Sequence, residues 1–183
     1  MEFDAAQYGP AVARILSSCG DGTRLPELVC GECSSPEARD EMTRQTAGEL
    51  FAGAREPDAA MAGLYLYFSC FDEAHEIAQN CKSSEGELWH AIAHRMEPDS
   101  GNAAYWYRRA GTHKIFGPLA HEAVKILKRI PEAEFRTGKW DPFSFIVFCD
   151  RARSQPGSLQ EQAAREIQRA EWQLLFDYCA RPK

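Results

Sequence analysis

Apolar residues recur along this chain with the three-to-four-residue spacing of helices, and no stretch alternates in the way a half-buried strand requires. Residues 5 to 18 carry Ala5, Tyr8, Val12, Ile15 and Leu16 in helical register and stop toward Gly20. A loop rich in Gly, Pro and Cys then runs to about residue 35. Ser35-Pro36-Glu37 opens the next helix, with a capping hydroxyl, a proline in the first turn and an acid, and that helix is expected to reach Gly53. Glu56-Pro57-Asp58 starts another that turns Met61, Leu64, Tyr65 and Phe68 inward. A break at Cys70-Phe71-Asp72 leads into a helix on which His75 shares the apolar stripe of Phe71, Ala74 and Ala78. Ser83-Ser84-Glu85 opens a central helix that Pro98 closes, and Asp99 or Ser100 caps a shorter one ending at Gly111. Three more helices are predicted over 118–129, 142–153 and 158–178, Phe143 to Phe148 being apolar and short enough to be helix or strand. The pattern predicts one all-α domain over residues 1–183, a bundle of seven to nine helices packed as hairpins.

The central helix carries the unusual chemistry. At about 100° per residue, Trp89, Ile92, Ala93 and Met96 form an apolar stripe, and Glu87, His90, His94 and Glu97 form a second stripe beside it. The second stripe has the spacing of a packing seam, where each large apolar side chain would contribute about 1.5–3 kcal/mol. A seam of Glu, His, His and Glu forgoes that burial, and each polar group placed there needs a partner.

Two imidazoles four residues apart on a helix can share one metal ion. His75, inward-facing on the preceding helix, supplies a third nitrogen, so that His75, His90 and His94 form a candidate site for a divalent metal such as zinc with a water in the open position. His90, His94 and Glu97 are the candidate catalytic groups, with Glu97 expected to floor the pocket. The zincin pattern requires Glu directly after the first His, and Ala91 stands there instead. Asp72-x-x-His75 and Glu87-x-x-His90 have the acid-x-x-His spacing of carboxylate-bridged di-iron sites, but two further acids on other helices are not evident. On the following helix Asn102, Trp106 and Arg109, with His113 beyond it, are candidates to hold a small anionic or polar molecule against an aromatic wall. The alternative is internal: Arg109 or Arg95 pairs with Asp99, Glu97 or Asp72 across the turn, and the histidines stitch the hairpins of an interaction module together. No nucleophile elbow or glycine-rich phosphate loop accompanies these residues.

Two resemblances bear on this region. Residues 58–111 resemble tetratricopeptide-like repeats, Ala74 in FDEAHEIAQ and Ala104 in NAAYWYRRA lying at matching places thirty residues apart in helical hairpins. Residues 60–115 resemble an uncharacterised family of small helical proteins of bacteria and fungi with the pattern HxxxHRxEPD followed by NAxYWxRRxG. The pattern falls here on His90, His94, Arg95, Glu97, Pro98, Asp99, Asn102, Ala103, Tyr105, Trp106, Arg108, Arg109 and Gly111, with His113 after it and an LDEAH-like element at Phe71–His75. The first resemblance implies hairpin packing, and the second implies a shared site without a reaction.

Charge narrows the partners. A formal net charge of −6 argues against nucleic acid or an anionic membrane as the main partner. No apolar run approaches the roughly 20 residues of a membrane helix, and the acidic start MEFDAAQYGP lacks the basic and apolar regions of a signal peptide. A cytoplasmic location follows as the expectation, and with it seven reduced cysteines. Cys30 and Cys33 have CxxC spacing but no second pair to complete a metal set, so they are expected in a loop without metal.

Overall fold

The computed structural model describes residues 3–136 and 138–182. Among them are ten α-helices, two short 3-10 turns and no strand, with one isolated antiparallel bridge between Ala54 and Pro182. The helices are α1 (Pro10–Ser17), α2 (Pro36–Thr43), α3 (Ala47–Leu50), α4 (Pro57–Tyr67), α5 (Phe71–Asn80), α6 (Ser84–Met96), α7 (Ser100–Ala110), α8 (Phe116–Arg129), α9 (Pro142–Arg153) and α10 (Leu159–Ala180). Phe143 to Phe148 lies within α9 and is helical.

The helix count exceeds the expected seven to nine because one predicted helix is divided. The segment from Ser35 to Gly53 breaks after Thr43, and Thr46 and Glu49 form a reciprocal capping box that starts the single turn of α3. The first helix is also interrupted. Asp4 caps a 3-10 turn over Ala5–Tyr8, Gly9 turns the chain at φ 96°, and Pro10 restarts it as the first residue of α1.

The caps that frame the central region follow the sequence. The Ser83 hydroxyl accepts from the Gly86 amide at the start of α6, and Asp99 accepts from the Asn102 amide at the start of α7. Helix α6 packs against α4, α5 and α7, and α10 runs along α4, α8 and α9. Every residue from Leu88 to Met96 is buried, so α6 is covered on all sides and not along one stripe. Its approach to α4 is close: a Cβ on Gly63 would lie 2.5 Å from the Trp89 ring.

The cysteine-bearing loop straps the helix ends. The Cys30 amide donates to the Met96 carbonyl at the end of α6 (2.8 Å), and the Ser34 amide donates to the Phe68 carbonyl at the end of α4 (2.7 Å). Cys33 is joined to Cys70, the residue just before α5, which corrects the expectation that all seven cysteines are free. The pairing spans 37 residues and depends on a turn that sequence spacing does not reveal. Among the described residues no helix is long and apolar enough to cross a membrane.

Candidate functional site

Helices α5 and α6 bring His75, His90 and His94 together, with one ligand nitrogen from each lying within 4.8 Å of the others. The Nε2 atoms of His75 and His90 are 2.9 Å apart. The His90 and His94 rings are stacked at a centroid distance of 4.8 Å, as expected for neighbours one helical turn apart. His75 meets both edge-on. From α7, Trp106 stacks on His90 at 4.0 Å. His90 and His94 are buried and His75 is half-buried, at the side from which solvent reaches the group.

The cluster has fewer partners than donors and acceptors. Nδ1 of His90 is buried with no hydrogen-bond partner. Nδ1 of His94 lies 3.1 Å from Glu97 Oε2, which leaves Nε2 as its free nitrogen. Burial, then the adjoining imidazoles of His75 and His94 and the Arg109 guanidinium, push the His90 pKa down to about 4. Burial, then His94, also lowers His75, against the opposing pull of Glu97 and Asp72. A positive charge on either ring is thus disfavoured, and His90 in particular is a neutral imidazole near neutral pH.

Several residues expected around this cluster stand elsewhere. Glu97 is a rim residue whose side chain is 49% exposed, because α6 ends at Met96 and the chain turns outward there. Asn102 is exposed and donates its side-chain amide to Asp99 (2.7 Å), so the α7 cap takes it away from the cluster. Arg109 lies over the Trp106 ring at 4.8 Å, yet its guanidinium is bound to Glu87 through Nε at 2.9 Å. The internal partner of Arg109 is therefore Glu87, on the neighbouring helix, and not Asp99, Glu97 or Asp72 as the turn suggested.

His113 is not part of the cluster. It is buried, and Nε2 contacts Glu85 Oε1 at 3.0 Å while Nδ1 accepts from the Ile115 amide. Both ring nitrogens are occupied, which leaves His113 no free nitrogen for a ligand. The hydrogen bond from His113 holds the Glu85 carboxyl down at about 2, against the opposing effect of burial.

The sequence reading missed a second polar cluster on the opposite side of α6. Arg95 is fully buried and paired with Glu171 of α10, and it also donates to the Tyr107 hydroxyl (2.7 Å) and to Gln168 (3.3 Å). Tyr107 in turn donates to Glu171 (2.9 Å). Phase alone held the clue: Arg95 continues the buried line of Leu88 and Ile92, and Gln168 and Glu171 interrupt the line from Ala164 to Leu175.

Comparison with protein-family models, with curated proteins and with solved structures found no match, so the chemistry of the site is read from its own residues.

Proposed function

We propose that His75, His90 and His94 bind one divalent transition metal, zinc being well suited to three imidazoles, and that the protein uses the ion as a Lewis acid on a small polar or anionic molecule. The observation that carries this is the meeting of three ring nitrogens within 4.8 Å. Around a tetrahedral ion with bonds of about 2.1 Å, ligand nitrogens stand about 3.4 Å apart. Small side-chain rotations bring the set to that spacing, since the His75–His90 edge is already 2.9 Å.

Three protein ligands leave a position for water, which a metal activates for hydrolysis near neutral pH. The contact with Glu97 orients His94 in the way that an outer carboxylate orients a metal-bound imidazole. Arg109 lies over Trp106 beside this group, where an anionic substrate would compete with Glu87 for its guanidinium. Glu97 acts here as an orienting group at the rim.

The test is zinc titration of chelator-stripped protein made without a histidine tag. One equivalent should bind and raise thermal stability, and His90→Ala or His94→Ala should abolish both effects. Binding that survives these substitutions, or no binding by the wild type, refutes the reading.

A second reading rests on the direct His75–His90 contact and the Arg109–Glu87 pair, which join α5 to α6 and α6 to α7 without any ion. In that case the hairpins form a helical interaction module, and the histidines serve its packing. Loss of stability in the histidine variants without any zinc effect in the wild type favours it.

A further inference from the structure

Away from the histidines, a cavity of about 640 Å³ opens between the end of α7, the first turns of α8 and the segment that enters α9. Small-molecule sites fall in the range of about 300–1,000 Å³. None of His75, His90 and His94 lines this space. Its walls are flat and aromatic, formed by Phe116, Trp140 and Phe143, and Arg108 and Lys139 bring positive charge to it.

Arg108 is held ready for a ligand. Its guanidinium lies 5.6 Å from the Phe143 ring centroid, and it has no carboxylate partner among the described residues. This sets it apart from Arg109, its neighbour, which is bound to Glu87. The acid that lines the cavity, Asp141, is engaged in capping α9, where it accepts from the Phe143 amide at 3.0 Å and from the Ser144 hydroxyl. His113 contributes a ring wall, its nitrogens being bound to Glu85 and to the Ile115 amide. The wall also holds an indole N–H, that of Trp140, buried with no acceptor.

The start of α8 forms one wall. No side chain caps this helix of 14 residues, and Gly117 in its first turn lines the cavity. A Cβ at Gly117 would meet nothing within 4 Å, so the space before it is open. Phe116, Gly117, Ala120 and His121 line the cavity from one face of α8, so its wall runs along the first two turns of the helix.

We infer that this cavity is a second binding site, independent of the histidine cluster, for a small aromatic anion: a planar ring between Phe116, Trp140 and Phe143, with its carboxylate or a like group on Arg108. Flat apolar walls with a guanidinium beside them recognise this class better than a neutral ring or an aliphatic acid. Arginine supplies two parallel donors to a carboxylate, and the aromatic faces supply stacking area.

Calorimetric titration with 2-naphthoate tests the assignment, with 2-naphthalenemethanol as the neutral analogue. Saturable binding of 2-naphthoate is expected, with the alcohol weaker by about tenfold or more, as follows from losing a charge-assisted hydrogen bond. Arg108→Ala should bring a loss of similar size. Gly117→Leu should abolish binding by filling the open space, and because Gly117 lies in an α-helix and a Cβ there meets nothing within 4 Å, that variant should fold normally. His90→Ala and added chelator should leave binding unchanged, which separates this site from the proposed metal site. The inference is overturned if 2-naphthoate does not bind at millimolar concentration, if the alcohol binds equally well, if Gly117→Leu binds like wild type, or if His90→Ala removes binding.

Discussion

Helix α6 carries two polar clusters on its opposite sides, and adjacent residues, His94 and Arg95, belong to different ones. The Arg95 cluster is closed and charged: one guanidinium, one carboxylate, a phenol and an amide interlock with Arg95 and Glu171 at 0% and 1% exposure. The histidine cluster is open at His75 and short of partners, with a buried ring nitrogen unmatched. The first cluster is closed by a charge pair, although Nε of Arg95 lacks an acceptor, and the second is left with unused ligating capacity. Buried charge matched by a buried counter-charge belongs to architecture, whereas imidazoles with spare nitrogens are free to bind something else.

The largest effect should come from breaking the closed cluster on one side only. Glu171→Ala leaves the Arg95 charge buried without its counter-ion, and a loss of about 3–5 kcal/mol in chemical denaturation is expected. Joint replacement of Arg95 by Met and Glu171 by Leu should recover most of it, since the desolvation of both charges disappears together. If the single and double variants are equally unstable, the cluster is held by packing and not by pairing.

Zinc should produce the next largest effect. At a free concentration about 100 times the dissociation constant, a ligand specific to the folded state adds about 2.7 kcal/mol. That gain should appear in the wild type and vanish in His94→Ala, as thermal unfolding can show.

Without metal, the histidine cluster should be far more tolerant than its opposite. His90→Gln and His94→Gln keep most of the volume and should each cost about 1 kcal/mol or less. A loss as great as that of Glu171→Ala would erase the contrast and make the histidines structural too.

A pH-dependent effect concerns Glu85, whose carboxyl is held down at about 2 in the folded protein because His113 binds it. Between the ordinary carboxyl range and that value the folded state holds fewer protons than the unfolded chain, so stability falls as pH falls from about 4.5 to about 2. Glu85→Gln should make this acid limb shallower while leaving stability trends above pH 5 similar, as denaturation series at stepped pH would reveal.

The elements were legible in the sequence where local chemistry decides them. Ser83, Asp99 and Pro36 mark helix starts through caps and fixed backbone angles, which require only a few neighbouring residues. The approach of His75 to His90 and His94 could be read because α5 and α6 are consecutive and packed together. Glu97 was misplaced since a helical wheel continues past Met96, where the real helix stops. The Arg95 partners were invisible because they lie 73 and 76 residues further along, and no local spacing encodes that distance. The Cys33–Cys70 link was missed for the same reason.

The unbroken burial of Leu88 to Met96 makes α6 resemble a keyed shaft, each of its successive teeth seated in a different neighbour. Substitutions disturb one tooth at a time. An inserted or deleted residue is another matter, because everything beyond it turns by about 100°. A single extra residue between Leu88 and His90 would swing the imidazoles away from His75 and carry the guanidinium of Arg95 off Glu171 in the same motion. In most surface helices such an indel is absorbed by sliding the exposed face. This helix has no exposed face to slide, so its length between Ser84 and Met96 is as constrained as its composition.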